Sequence, residues 1–280
     1  MGSLEGNRFT IAVEGVSDGA EETVRKILED VNGRFPNYFG EQRFGMRGNS
    51  AEIGRCIARR DFEAAAMEYL TGTGQKRGDE EREGARGGGG GAEENEGARK
   101  ARKRLAEEKD FAAAYNYFPQ HLKYERMLLE HLARIPTDFA GALRRLPRGI
   151  LLLFVHALQS RIFNLVLSER IGAGEVNART PLDETANLIG YESVPTEPEA
   201  RALEVLEVSP EDFRLKGMPE LSSKGTKRQL LAELKEFSFA CEAGNAGENG
   251  KENARGKFRF TLGAGSYATM ALREFMDGQR

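Results

Sequence analysis

Residue types that mark metal sites and disulfide frameworks are scarce in this sequence. The 280 residues include no tryptophan, two cysteines and three histidines. Cys56 and Cys241 lie far apart, and neither has a second cysteine or a histidine at the spacing of metal ligands. This pattern excludes a cysteine-based zinc motif and a disulfide framework. We therefore expect reduced thiols, no bound metal and a cytoplasmic protein.

The sequence also lacks a secretion signal, a membrane span and a large net charge. Its longest apolar run, at residues 150–155, is much shorter than a bilayer span, and the N-terminus has no basic-then-apolar pattern. The formal net charge is −3, so any binding to nucleic acid depends on local clusters of Lys and Arg. With 39% hydrophobic residues, the chain can form the core of one or two domains, and we expect no membrane partner.

One internal segment has the composition of a flexible insertion. Gly, Glu and Arg dominate residues from about 72 to 100, and glycines occupy every position from 87 to 91. A basic cluster follows at residues 99–104, with acidic residues on both sides. Mixed charge of this kind favours the solvated start of a helix over a phosphate-binding site.

Alternation of apolar and polar residues predicts strands near both ends of the chain. Residues 6–13 and 257–262 show this pattern, as do residues 237–241. The two end strands flank a long insertion and have to share a core, so we expect them to be neighbours in one sheet.

Capping and turn residues predict several element boundaries. Asp18 is the expected N-cap of the helix after the first strand, and Ser266 that of the last helix. Residues 172–187 are expected to be a loop before a short strand at 188–191, and residues 224–228 a basic turn.

The segment of residues 35–45 is the most unusual stretch of the sequence. It contains four aromatic residues, two glycines, Asn37, Gln42 and Arg43, and it fits no periodic element. Planar rings next to amides and an arginine can stack unpaired bases and hydrogen-bond their edges. The alternative is an aromatic-rich turn that only packs inside a domain.

The longest predicted helix covers residues 148–171 and is apolar nearly all the way round, which predicts a buried core helix. Gln159, Ser160 and Asn164 interrupt this apolar surface. Buried polar groups need partners, so these residues either pair internally or line a side that faces RNA. His156 is alone on an apolar face, and we expect it to be a core histidine.

Five motifs in order resemble the TruD family of tRNA pseudouridine synthases. They are residues 6–11 (GNRFTI), 36–45 (PNYFGEQRFG), 154–164 (FVHALQSRIFN), 189–192 (IGYE) and 265–275 (GSYATMALREF). The resemblance implies an enzyme that isomerises a uridine of tRNA, with uridine 13 as the family target, without metal or organic cofactor. It implies that Asn7 and Phe9 form a wall of the active site, with Phe9 against the target base. Together with residues 35–45, it predicts these RNA-binding residues: Asn37, Tyr38, Phe39, Gln42, Arg43, Phe44, Gln159, Ser160, Tyr267 and Arg273.

The resemblance also implies a nucleophilic Asp, which this sequence does not match. In the family this Asp belongs to a G-x-K-D-x-x-A-x-T motif on the N-terminal side of the GNxF strand. Only Asp110, after Lys109, shares part of the motif, and it lies on the wrong side, so we interpret it as a helix-surface acid. We therefore expect no catalytic residue in this chain, which resembles the C-terminal part of such an enzyme.

The predicted fold is α/β (α+β), with an incomplete pseudouridine-synthase sheet and a large, mostly helical inserted TRUD domain. Residues 1–34 and 255–280 are assigned to the remnant of the catalytic core, and residues 35–254 to the insert. The predicted partner is tRNA, and a monomer is expected. Two alternatives stay open, namely a non-catalytic RNA-binding module and an inactive fragment.

Overall fold

The computed structural model describes residues 5–72, 94–242 and 255–276. In these ranges the strands are β1 (Gly6–Glu14), β2 (Arg34–Pro36), β3 (Thr185–Leu188), β4 (Thr226–Gln229), β5 (Leu231–Glu233), β6 (Lys235–Glu242) and β7 (Arg255–Gly263). The helices are α1 (Ala20–Asp30), α2 (Ser50–Ala58), α3 (Phe62–Thr71), α4 (Glu96–Glu108), α5 (Phe111–Tyr117), α6 (Lys123–Arg134), α7 (Phe139–Leu143), α8 (Arg148–Gly172), α9 (Glu197–Val205) and α10 (Ala268–Leu272). Short 3-10 helices lie at Glu41–Phe44, Pro210–Phe213, Pro219–Leu221 and Arg273–Phe275. This mixture of helices and sheets confirms the predicted α/β (α+β) class.

The two ends of the described chain meet in one antiparallel sheet with the strand order β1-β7-β6. Phe9 on β1 lies directly opposite Phe260 on β7, which confirms that the predicted end strands are neighbours. Phe258 and Phe260 are both buried because alternate residues of a strand point to one face. Val24 of α1 and Ala271 of α10 belong to the same apolar core.

The terminal sheet also includes β6, which lies within the residues that the sequence assigns to the inserted domain. β6 pairs with β7 along most of its length. The division into a core of residues 1–34 and 255–280 and an insert of residues 35–254 remains a prediction. The observed pairing extends the sheet into residues 235–242.

The long helix α8 is the centre of the helical part, and its observed range confirms the predicted one. Leu158, Ile162 and Phe163 on this helix are fully buried. α2 crosses α8 at Gly54, where a Cβ atom would lie 2.1 Å from the carbonyl oxygen of Phe154, so this close approach requires glycine. By length and composition alone α8 could cross a membrane, but 61% of its most apolar window is buried inside the protein, as in a core helix.

Two predicted helix caps are wrong. α1 begins after Gly19, whose φ of 77° is left-handed, and the side chain of Asp18 does not cap it. Glycine adopts this conformation without the strain that a side chain would cause, and it turns the chain into the helix. The last helix has Tyr267, and not Ser266, as its N-cap residue.

The short strand predicted at residues 188–191 lies earlier, at Thr185–Leu188, and pairs with β4. The predicted basic turn at 224–228 is also wrong at its end, because Thr226–Gln229 form that partner strand. Beyond Leu188 the backbone segments at residues 190 and 225 lie too close together for residues that carry side chains. A Cβ atom at Gly190 would lie 2.0 Å from the backbone nitrogen of Gly225.

Most of the predicted insertion, including the five glycines at 87–91, lies in residues 73–93, outside the described residues. Its predicted end is wrong, because residues 96–100 belong to α4.

The prediction that the basic cluster at residues 99–104 is solvated is wrong for Arg102, because this side chain is buried. Its Nε lies 2.7 Å from Glu94 Oε1 and its Nη2 lies 2.6 Å from Glu125 Oε1, so two carboxylates compensate its buried charge.

Candidate functional site

An open pocket of about 320 Å³ lies where β1, the aromatic segment and the turn before α10 meet. It is lined by Phe9, Gln42, Gly265, Ser266, Tyr267, Ala268 and Thr269. Three separate parts of the sequence therefore form one concave surface. This volume is at the lower end of the range of small-molecule pockets, which is roughly 300–1,000 Å³.

The first wall of the pocket comes from β1. Phe9 is half-buried, and its ring centroid lies 5.7 Å from that of Phe260, which fixes one face of the phenyl ring. Asn7 is two residues earlier on the same face of the strand, opposite Leu262, and is exposed. The structure thus places Phe9 in the pocket and Asn7 beside it, on the same strand.

The first half of the aromatic segment is buried. Asn37 and Phe39 are 5% and 6% exposed. The Asn37 side chain donates to the carbonyl oxygen of Gln229 at 3.1 Å. Asn164 on α8 accepts from the backbone N–H of Phe39 at 2.9 Å and donates to its carbonyl oxygen at 3.0 Å. These contacts hold the segment in one conformation, and the RNA-binding roles of Asn37 and Phe39 remain predictions.

Arg228 connects the aromatic segment to the opposite wall of the pocket. Its Nη2 donates to Asn37 Oδ1 at 2.6 Å and to the carbonyl oxygen of Gly265 at 3.0 Å. Its Cζ lies 4.0 Å from the ring centroid of Phe39 and 5.5 Å from that of Phe163, distances typical of cation–π contacts. Burial lowers the pKa of Arg228 to about 10. Nothing in the sequence marks this residue beyond its place in a basic stretch.

The second half of the segment faces the pocket and its rim. Gln42 is exposed and lines the pocket, while Arg43 is half-buried with its Cζ 5.3 Å from the Phe39 centroid. Phe44 packs against the helical core as a half-buried residue. Tyr38 forms a hydrogen bond of 3.1 Å with Ser168, and burial raises the pKa of its phenol.

The last motif contributes the second aromatic wall. Tyr267 lines the pocket, and its ring meets Phe39 edge-on with centroids 6.1 Å apart. Arg273 is half-buried on the following 3-10 helix, with its Nη1 3.8 Å from Met270 Sδ. Of these two predicted RNA-binding residues, only Tyr267 lines the pocket.

Gln159 and Ser160 lie inside the protein, 5% and 2% exposed. Gln159 Nε2 donates to the carbonyl oxygen of Ile189 at 2.6 Å and lies 2.9 Å from Ser223 Oγ. Ser160 Oγ donates to the carbonyl oxygen of His156 at 2.8 Å. The sequence left open whether these residues pair internally or face RNA, and the observed contacts are internal pairs.

His156 is exposed on α8, so its interpretation as a core histidine is wrong. Partial enclosure, and then the positive charge of Arg43, lower the pKa of His156. The helix around it is buried on its other faces, which explains why the apolar pattern misled the sequence interpretation.

No Asp or Glu lines the pocket among the residues that the structure describes. Asp110 is the N-cap of α5, where its Oδ1 accepts from the backbone N–H of Ala113 at 2.9 Å. This confirms its interpretation as a helix acid. In the same described part of the chain, no group of three His, Cys, Asp or Glu residues could hold a metal ion.

Comparisons with known proteins point to one family. The sequence profile described as tRNA pseudouridine synthase D (TruD) matches residues 1–87, 88–186 and 178–275. The "Probable tRNA pseudouridine synthase D" of Methanosarcina acetivorans is 32% identical over 327 residues, with 99% of this chain and 69% of that protein covered. The protein of the same name from Methanopyrus kandleri is 36% identical over 297 residues, with 99% and 66% covered.

A solved structure agrees with these sequence relatives. The crystal structure of the "Putative tRNA pseudouridine synthase D (TruD)" from Methanosarcina mazei has a TM-score of 0.80 and 30% identity to this chain. The alignment covers 99% of this chain and 70% of that one. The chain therefore spans about two thirds of the length of these relatives.

Proposed function

We propose, from the premise that this chain belongs to the tRNA pseudouridine synthase D (TruD) family, that it acts in the conversion of a uridine of tRNA to pseudouridine. The target is uridine 13, and the reaction needs no metal or organic cofactor. The protein works in the cytoplasm as a monomer with tRNA as its partner.

The observation that carries this proposal is the pocket between two aromatic side chains from opposite ends of the described chain. Phe9 and Tyr267 both line it, with Gln42 as a polar neighbour. An enzyme that acts on a base has to take the base out of its stack and hold it between apolar or aromatic groups. The pocket suits a flipped uracil because its walls offer π faces and its rim offers an amide for the polar edge.

Five of the ten predicted RNA-binding residues divide into two groups by their position. Gln42, Arg43 and Tyr267 lie at the pocket or its rim and contact RNA directly in this proposal. Asn37 and Phe39 support them from inside the protein through Arg228 and Asn164. Asn7 completes the wall that begins with Phe9.

The catalytic carboxylate is the part of the site that the described residues do not supply. Isomerisation requires a carboxylate to attack the nucleotide so that the glycosidic bond breaks. No carboxylate lines the pocket in the described part of the chain. We therefore propose that residues 1–280 alone bind tRNA without forming pseudouridine. For the isolated chain this favours the second candidate function, an RNA-binding module.

An assay with two tRNA transcripts tests this function. The 280-residue chain is incubated with unmodified tRNA that has uridine at position 13 and with a matched transcript that has cytidine there. Binding is measured by filter retention, and pseudouridine by mass spectrometry. We expect binding without pseudouridine. Failure to bind either transcript would contradict the proposed partner, whereas turnover that is lost on Asp18→Asn would show that the chain has its own nucleophile.

A further inference from the structure

Among the described residues, no carboxylate forms an ion pair with the guanidinium of Arg43. Its Nε is buried and has no hydrogen-bond partner. Its Cζ lies 5.3 Å from the centroid of the Phe39 ring. A buried donor without a partner is costly and calls for an explanation, and a bound ion is one such explanation.

A second guanidinium lies against the same ring. Arg228 Cζ is 4.0 Å from the Phe39 centroid. Its Nε and Nη2 donate to carbonyl and amide oxygens of Asn37 and to Gly265, so neutral oxygens hold it in place and leave its charge uncompensated. Its Nη1 lies 3.5 Å from the place of a Cβ atom at the pocket-lining Gly265, which brings it to the edge of the pocket.

A third nitrogen-bearing side chain, His156, lies on α8. This helix packs against the 3-10 helix Glu41–Phe44, and His156 is exposed on it. Burial, and then the charge of Arg43, lower the pKa values of both His156 and Arg228. Arg43 thus shares the Phe39 ring with Arg228, and the 3-10 helix that carries it packs against the helix that carries His156.

The lack of carboxylates around this group contrasts with the rest of the chain. The sequence has 44 Asp and Glu residues against 41 Lys and Arg. Arg102 is paired with two glutamates, and Arg201 is paired with Glu169 and Glu197. Among the described residues, no ion pair joins a carboxylate to Arg43 or Arg228. Two guanidinium groups beside one ring without a counter-ion repel each other, unless an anion binds between them.

We propose that Arg43, Arg228 and His156 form an anion subsite that takes a backbone phosphate of the substrate RNA, next to the nucleotide in the pocket. The proposal rests on the proposed function, since it assigns a phosphate contact to that same site. A phosphodiester fits because it offers several acceptor oxygens to donors from different directions. Its position fits because Gln42 and Gly265, which line the pocket, adjoin Arg43 and Arg228.

The salt dependence of RNA binding tests the subsite. The dissociation constant of the 280-residue chain for tRNA and for a short single-stranded RNA is measured at several salt concentrations. Arg43→Gln is expected to weaken binding roughly tenfold and to reduce the slope of log K against log salt by about 1. His156→Gln is expected to weaken binding roughly threefold. Arg201→Ala is the control, because it removes an arginine already paired with two glutamates. Melting curves confirm that each variant is folded.

The outcomes distinguish a failure of the proposed subsite from a failure of the proposed function. If tRNA binds and Arg43→Gln and His156→Gln match Arg201→Ala in affinity and slope, the subsite is wrong and the proposed function stands. If the short RNA binds with an Arg43-dependent slope but tRNA is not preferred, the subsite stands and the tRNA-specific function is wrong. If neither RNA binds to the parent chain, both are wrong.

Discussion

Asn164 and Phe39 are joined by two hydrogen bonds that close a ring between a helix side chain and the backbone of the aromatic segment. The side-chain oxygen accepts from the Phe39 N–H at 2.9 Å, and the side-chain nitrogen donates to the Phe39 carbonyl oxygen at 3.0 Å. An asparagine amide has one acceptor and donors on the same plane, so it can satisfy both backbone groups at once.

Asn164→Leu should loosen the aromatic segment. It removes both partners of the Phe39 backbone and leaves two shielded polar groups unpaired, which costs about 1–3 kcal/mol of unfolding free energy for each group. Urea denaturation measures this loss, and hydrogen exchange at residues 37–40 shows whether it is local. Ser168→Ala is the matched control, since it removes a single exposed hydrogen bond, to Tyr38. Equal stabilities of the two variants would show that the segment is held by packing alone.

Gly54→Ala should destabilise the crossing of α2 and α8. The added Cβ atom would lie 2.1 Å from the Phe154 carbonyl oxygen, so the two helices have to move apart, at a cost of roughly 1–3 kcal/mol for an overpacked core. Gly149→Ala on α8 is the control because no atom lies within 4 Å of its added Cβ. That control should be neutral or stabilising by up to about 1 kcal/mol from helix propensity. Thermal melting distinguishes them, and a stable Gly54→Ala variant would contradict the close crossing.

Glu125→Leu should be strongly destabilising because it leaves the buried Arg102 with one carboxylate fewer. Glu125 Oε1 accepts from Arg102 Nη2 at 2.6 Å, and loss of one member of a buried pair costs about 3–5 kcal/mol. The double variant Arg102→Met, Glu125→Leu removes both charges and should recover much of the loss. Lys100→Ala, which breaks an exposed pair with Glu96, should leave the urea midpoint unchanged. A double variant no more stable than Glu125→Leu would show that the carbonyl contacts of Arg102 dominate.

The sequence predicted those features whose signals lie in neighbouring residues, and it missed those that depend on contacts between distant segments. The alternation of β1 and β7 predicted their pairing because strand periodicity and the need for a shared core are visible in the sequence. The caps at Asp18 and Ser266 failed because a neighbouring residue took the position, and propensity alone does not choose between adjacent residues. Arg228 was missed as part of the site because its surroundings come from segments distant in the chain, so neither periodicity nor composition reports them.

The two thiols should differ in reactivity because the thiolate is the reactive form. Burial raises the pKa of Cys56 to about 11, whereas Cys241 is exposed. At pH 8, iodoacetamide should modify Cys241 first and leave Cys56 largely unmodified in the folded protein. In urea both should react. Mass spectrometry of peptides locates the label, and fast modification of Cys56 in the folded protein would contradict its burial on the inner face of α2.

Tyr267→Ala should weaken tRNA binding if the pocket holds a nucleotide as proposed. Stacking of a base on an aromatic side chain contributes about 1–3 kcal/mol, so we expect a loss of roughly tenfold or more, converted at about 1.4 kcal/mol per tenfold. Tyr267→Phe keeps the ring and its edge contact with Phe39, and it should bind like the parent unless the hydroxyl contacts RNA. Val205→Ala, at a residue that is 71% exposed and does not line the pocket, controls for loss of an apolar side chain. Filter binding at fixed salt measures all three, with melting curves to confirm folding. If Tyr267→Ala binds tRNA as tightly as Val205→Ala, the pocket is not the nucleotide site.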